Sequence, residues 1–176
     1  MEEDMTTIMA ILTTRCIVVF LIVITLPAYA RCQLSDIDLR KDCGTCGNAC
    51  CALQFIVGGS SEPIYEEFSN FLMKGGTDGW YFYSDSTDLR SQNVSADFII
   101  QGYYSSILNR YQNTLNFAVE KSTNLQMVSV RAFSISNVTG TYCDAGQNYK
   151  NLVQFMIGLK MPYTEVHIWG CPKTKP

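Results

Sequence analysis

The chain has 176 residues, of which 47% are hydrophobic, 12% aromatic and 16% charged, and its formal net charge is −3. That is too aromatic and too sparsely charged for a disordered chain, and it supplies no concentrated basic surface for nucleic acid. The length fits one domain together with a processed segment.

The first thirty residues read as an address rather than as fold. Arg15 precedes the uncharged run CIVVFLIVITL from Cys16 to Leu26, and Ala28-x-Ala30 follows as a small-x-small cleavage pattern. A positive flank, a short apolar core and such a site define a secretory signal peptide, here 1–30. Glu2, Glu3 and Asp4 make the extreme terminus unusually acidic for a signal. The mature domain, 31–176, then holds 13 acidic residues (16 less Glu2, Glu3 and Asp4) and 12 basic ones (13 less Arg15), close to neutrality. Removal of the signal leaves no stable membrane insertion. The sequons Asn93-Val94-Ser95 and Asn137-Val138-Thr139 fit the same compartment and predict glycosylation at Asn93 and Asn137.

Eight cysteines are present, and Cys16 leaves with the signal. Cys32, Cys43, Cys46, Cys50 and Cys51 crowd into an N-terminal cluster (32–51), whereas Cys143 and Cys171 lie far downstream. Outside the cell, disulfides are the default state of such residues. The count is odd unless cleavage falls after Cys32. Cys50 and Cys51 are adjacent and should diverge to different partners. The cluster 43-CGTCGNACC-51 is expected to be stapled to the far end of the chain through Cys143 and Cys171. A redox-active CxxC needs a helix start that Gly44 and Gly47 do not provide. The spacing C-x2-C-x3-C-C is not that of a zinc site.

Along the mature chain, Ala52 to Val57 reads as a buried strand ended by Gly58-Gly59. Ser60-Ser61-Glu62-Pro63 opens a helix with a serine cap, a first-turn proline and acidic residues at the positive end of the dipole. Ile64, Phe68, Phe71 and Leu72 share one face of it, and Gly75-Gly76 stops it. Gly79 to Ser84 is an aromatic strand with Trp80 and Phe82 on one face and Tyr81 and Tyr83 on the other. Asp85 to Ala96 reads as a polar loop. Asp97 to Tyr104 is a strand. Tyr111 to Glu120 alternates cleanly, with Leu115, Phe117 and Val119 inward. The four residues from Lys121 to Asn124 suit a hairpin, and Leu125 to Ile135 is its partner, with a bulge expected between Met127 and Val128. Asp144 caps a second helix with Gln147 in the capping-box position. Tyr149, Leu152, Val153, Met156 and Leu159 form its inner face, and Pro162 ends it. Tyr163 to Trp169 is a last strand, locked by Cys171, and the tail PKTKP should fray. The order is β-α-β-β-β-β-α-β. It predicts an α+β domain, an antiparallel sheet of about five strands with two helices packed on one face, stapled by disulfides. A lipocalin-type barrel fails on strand count.

Catalytic chemistry finds little support. His167 is the only histidine, and alternation places it on the face of Glu165 and Trp169. No G-x-S-x-G elbow accompanies it. Glu66–Glu67 and Asp85–Asp88 are carboxylate pairs of the kind glycosidases use, but they fall on a helix surface and in a polar loop. No calcium loop is present. No catalytic residue, cofactor or metal ligand is therefore assigned. The tyrosines, ten in all, together with Trp80 and Phe82, could supply a contact surface for carbohydrate or protein, but ordinary core and hairpin packing is the favoured reading.

The stretch FSISNVTGTYCDAGQNYKNL, the start CGTCGNACC and the strand RYQNTLNF resemble segments of uncharacterised secreted cysteine-rich proteins of marine organisms, over most of the mature chain. By class rather than by motif, the chain is also similar to components of invertebrate skeletal organic matrix such as those of stony corals. The resemblance implies a secreted extracellular protein and carries over no activity. The expectation is a secreted non-enzymatic structural or binding component of an extracellular matrix, with a mineralised skeletal matrix as one form of it left open, and with matrix proteins or carbohydrate as partners. A secreted small-ligand or lipid carrier and an enzyme of unrecognised type are the alternatives.

Overall fold

In the computed structural model, the described residues are 48–105, 112–121, 126–138, 140–141 and 143–172. The predicted signal, Cys32, Cys43, Cys46, Tyr111, the hairpin connection 122–125 and the tail 173–176 lie outside them. The elements run in the predicted order: β1 Cys50–Gly58, α1 Ser61–Met73, β2 Tyr81–Asp88, β3 Ala96–Ser105, β4 Gln112–Glu120, β5 Met127–Ser136, α2 Gln147–Leu159 and β6 Tyr163–Trp169. All six strands join one antiparallel sheet, in the order β2-β3-β4-β5-β1-β6. The fold is thus α+β, and the sheet has one strand more than the five expected. The sheet is open, with β2 and β6 as its edges.

Strand period sorts the core. Leu53, Phe55 and Val57 of β1, Phe98 and Ile100 of β3, Leu115, Phe117 and Val119 of β4, and Val128, Val130 and Ala132 of β5 recur at every second position and are all buried. Helical period supplies the other wall: Ile64, Phe68 and Leu72 of α1 and Leu152, Phe155 and Met156 of α2 enter the same cluster. Phe155 sits at its centre, stacked on Phe117 at 4.6 Å and edge-on to Phe68 at 5.0 Å and Phe71 at 4.8 Å. The helices can approach because α2 has Gly158 where they meet; a Cβ there would lie 2.5 Å from the Phe71 ring.

Several local expectations are corrected. Strand β2 extends to Asp88, so the polar connection begins at Leu89 rather than Asp85. It can be polar because it is an edge strand, wet on one side. No slip occurs between Met127 and Val128: the ladder runs unbroken from Gly58↔Met127 to Cys50↔Ile135, and Gln126 still belongs to the turn. Irregularities instead fall between Ala52 and Leu53 against β6, between Tyr83 and Asp85 against β3, and between Ala96 and Phe98 against β4. Ser60 occupies the α1 cap position without a side-chain bond, while Ser61 donates from Oγ to Asp97 Oδ2 at 2.6 Å. The cap position of α2 is Gly146 rather than Asp144, but the Asp144 carboxylate still serves the helix start, accepting from the backbone N–H of Gly146 at 2.9 Å and of Asn148 at 2.6 Å. Gln147 turns forward to donate to Asn151 Oδ1 at 2.7 Å, so the reciprocal half of the capping box is not made.

Candidate functional site: the open face of the sheet

With both helices on the core side, the alternate side chains of each strand form a second face that no helix of the described residues covers. Strand register orders that face into rows. One row runs Phe82, Tyr103, Thr114, Ile135, Cys50. The next runs Asp85, Gln101, Asn116, Phe133, Ala52, Trp169, and the third Thr87, Ile99, Ala118, Arg131, Gln54, Val166. Neighbouring rows are about 7 Å apart along the strands and neighbouring columns about 4.8 Å apart across them.

Aromatic groups stand at the two ends of the grid and planar polar groups between them. Phe82 and Tyr103 stack with centroids 5.0 Å apart, and Phe133 meets Trp169 at 6.5 Å. Gln101 donates to Asn116 Oδ1 at 2.8 Å, and Gln54 donates to Ser129 Oγ at 2.9 Å. Arg131 pairs with Glu120 at 2.8 Å across the same face. These bonds hold the amides and the guanidinium in fixed orientations, with remaining donors and acceptors directed to solvent.

The tyrosines do not make a contact surface on this face, and the favoured reading, core packing, holds for Tyr65, Tyr81, Tyr83 and Tyr104. Among described residues only Tyr103 points outward from the sheet. Tyr81 is fully buried, and its hydroxyl donates to the carbonyl of Asn151 at 2.8 Å. Tyr65 and Tyr83 share the Ser86 hydroxyl at 2.9 and 2.8 Å on the helix side. The alternation of Tyr81 and Tyr83 against Phe82 holds as predicted, but the tyrosine side is the packed one.

His167 is also on the helix side. It lies opposite Leu53, and Glu165 lies opposite Phe55. Nε2 of His167 meets Glu165 Oε1 at 2.5 Å, and the ring lies 5.3 Å from that of Tyr149 on α2. Burial raises the Tyr149 hydroxyl above its usual pKa, with a bond to Glu165 adding to the shift; burial followed by the Glu165 charge does the same to Tyr163. Both phenols are therefore held in the neutral, donating form. Trp169, expected on the same face, is turned to the outer row by the irregularity at Ala52/Leu53, since one extra residue reverses the alternation. The approach of Tyr149 is tertiary and left no sign in the sequence; the Glu165-x-His167 spacing did.

The other candidate pairs do not converge. Glu66 and Glu67 are exposed on α1. Asp85 binds the backbone N–H of Ser86, whereas Asp88 holds Arg90, which also reaches Glu62. The Arg90 guanidinium keeps the Asp88 carboxyl below its ordinary pKa. No group of three or more His, Cys, Asp or Glu side chains among the described residues is placed to hold a metal.

Of the cysteines, Cys51 and Cys171 are joined, across a sequence separation of 120. Cys50 and Cys143 are disulfide-bonded as well. Adjacent Cys50 and Cys51 do diverge, because consecutive residues of β1 point to opposite faces. Of the sequons, Asn93 is exposed in the β2–β3 connection, and Asn137 is exposed just past β5, where it accepts from Thr114 Oγ1 at 2.8 Å. Sequence reading missed a buried polar knot. Asn148 donates to the Ala49 carbonyl and to Ser136 Oγ and accepts from Ser134 Oγ at 2.6 Å. Asn48 donates to the Ser136 carbonyl and accepts from Gly140 N–H. Together these tie the start of β1, beside the cysteines, to α2 and to the end of β5.

No helix among the described residues is long and apolar enough to cross a membrane. No family model, no curated protein and no solved structure matches the chain.

Proposed function

We propose that this is a secreted, non-enzymatic component of an extracellular matrix that binds polysaccharide through the open face of its sheet. The observation that carries the reading is the grid of fixed planar amides, Gln101, Asn116 and Gln54, flanked by Phe82/Tyr103 and Phe133/Trp169. Sugar rings offer apolar C–H faces to aromatic rings and hydroxyls to amides, so a surface alternating the two types suits them. The signal, the sequons and the disulfides support an extracellular setting. The resemblance to skeletal organic matrix proteins extends the reading to a mineralised matrix. The carrier alternative is less well supported, because Phe68, Phe117 and Phe155 occupy the space between sheet and helices that a ligand would need.

The test is co-sedimentation of the secreted protein with insoluble chitin and cellulose, alongside fibrillar collagen as the protein alternative. The expected result is retention on polysaccharide and its loss in the double variant Tyr103→Ser/Trp169→Ser. Retention on collagen alone, or recovery of all protein in the soluble fraction, would overturn the reading.

A further inference from the structure

The strand β6, Tyr163–Trp169, ends the sheet, and no described segment pairs with its outer side. The features that normally guard such an edge are charge, proline and bulges that turn it away. Both edges are irregular against their neighbours, β2 between Tyr83 and Asp85 and β6 opposite Ala52/Leu53, but β2 adds the two carboxylates Asp85 and Asp88. Strand β6 instead exposes Val166 (45%) and Ile168 (41%). Its charged side chains are Glu165 and, when protonated, His167, one on each side of Val166.

That arrangement is self-complementary. When two antiparallel copies of β6 meet about a two-fold axis at Val166, residue 165 of one faces residue 167 of the other. Each Glu165 then lies opposite a His167 of the second copy, twice over, extending the Glu165–His167 pair already made within each chain into an alternating cluster of four, and Val166 faces Val166. Opposite-charge and β-branched cross-strand pairs are the stabilising kinds in antiparallel ladders. Parallel pairing in register would set Glu165 against Glu165. The outer row of β6, Thr164, Val166 and Ile168, is exposed, and the contact of α2 with β6, through Tyr149 and His167, lies on the opposite face.

We propose that β6 is a homodimerisation edge, joining two copies of this chain into one continuous twelve-stranded sheet through an antiparallel β6–β6 ladder centred on Val166. The occupant is a second copy because the two-fold register pairs each Glu165 with a His167 and Val166 with itself, which makes the edge its own complement. The resulting interface is isologous. The inference does not depend on polysaccharide binding, and it would give a matrix component two copies of its open face on one surface.

The experiment is sedimentation equilibrium of the secreted protein over a range of concentrations. Free thiols are alkylated, and a non-reducing gel separates covalent from non-covalent pairs. A concentration-dependent, non-covalent dimer is expected. Val166→Lys sets two like charges opposite each other on the axis and should weaken dimerisation by about tenfold or more. His167→Glu should weaken it too, and Glu165→His/His167→Glu should restore it, because the swap recreates the complement. The swap decides the matter if Val166→Lys fails to fold. A monomer at every concentration, an unaltered dimer in Val166→Lys, or a swap that does not restore dimerisation would each overturn the proposal.

Discussion

At one edge of the sheet, β2 sends Tyr81 fully into the core, where it lies among Phe71, Tyr104 and Phe155 and donates to the Asn151 carbonyl. At the other edge, every residue of β6 remains at least partly exposed. Side-chain burial holds the first edge. The second is held by its ladder to β1, by the part-buried contacts of Tyr163 with Phe55 and of His167 with Tyr149, and by the bond from Cys171, just beyond its end, to Cys51 on β1. The covalent link therefore lies where packing is thinnest. The edge with two exposed carboxylates is the packed one, and the edge that exposes Val166 and Ile168 is the one that a crosslink must keep in place.

Cutting the crosslink should break this contrast most severely. A disulfide closing a loop of that length contributes on the order of 4–5 kcal/mol in the chain-entropy model. The bonds at Cys50 and Cys143 also restrict the unfolded chain and reduce that figure. Cys51→Ala/Cys171→Ala should lower the urea midpoint sharply. Amide exchange should then show β6 losing protection while β2 and β3 keep theirs. Equal protection at both edges would mean that the β1–β6 ladder alone suffices.

The converse perturbation is Gly102→Ala. Gly102 lies opposite Tyr83 on the core side of β3, and a Cβ there would come within 2.6 Å of the Phe82 carbonyl oxygen and 3.0 Å of Leu72. A backbone carbonyl in a ladder has little room to move, so overpacking of about 1–3 kcal/mol is expected. Exchange should rise in β2 and α1 with β6 unaffected. A variant with wild-type stability would show that the β2 edge has slack.

These contrasts were only partly legible in the chain. Element order was readable because each signal is local: the inward alternation of Leu115, Phe117 and Val119, and the helical spacing of Ile64, Phe68 and Leu72. A link from the 43–51 cluster to the far end was readable by elimination among the cysteines, although the choice of Cys51 for Cys171 was not. Strand order was not legible. No local signal places β1 between β5 and β6, and without that placement the edges are unknown, and so are the open face and the exposure of β6. Polar Asp85–Asp88 reads as loop in the sequence because an edge strand tolerates polarity that a central strand does not. Asn148 was overlooked because an amide in a helix resembles a surface residue until Ala49, Ser134 and Ser136 surround it.

The smallest effect, and the most specific to the β2 edge, concerns the Tyr81 hydroxyl. Burial raises its pKa far above the ordinary value, with the charges of Asp78 and Tyr104 adding to the shift. Below the unfolded value of about 10, the phenol is neutral in both states and its contribution to stability is complete. As pH rises above that value the unfolded chain ionises and the folded one does not. Stability is then lost, by up to about 1.4 kcal/mol per pH unit for this group, until the folded value is reached. Tyr104, Tyr149 and Tyr163 are shifted in the same direction, burial being the leading cause in each, so they share in the alkaline loss. Tyr81→Phe keeps the ring and removes the bond to Asn151, which should cost about 1 kcal/mol at neutral pH. Above pH 10 or so the variant should lose stability less steeply than the wild type, and the two urea midpoints should converge. Parallel midpoints across that range would mean that Tyr81 ionises in the folded protein, and that the β2 edge is less tightly closed than its packing indicates. A reductant should act first on β6, whereas the alkaline loss that Tyr81→Phe removes belongs to β2, so the two measurements separate the two ways in which one sheet holds its ends.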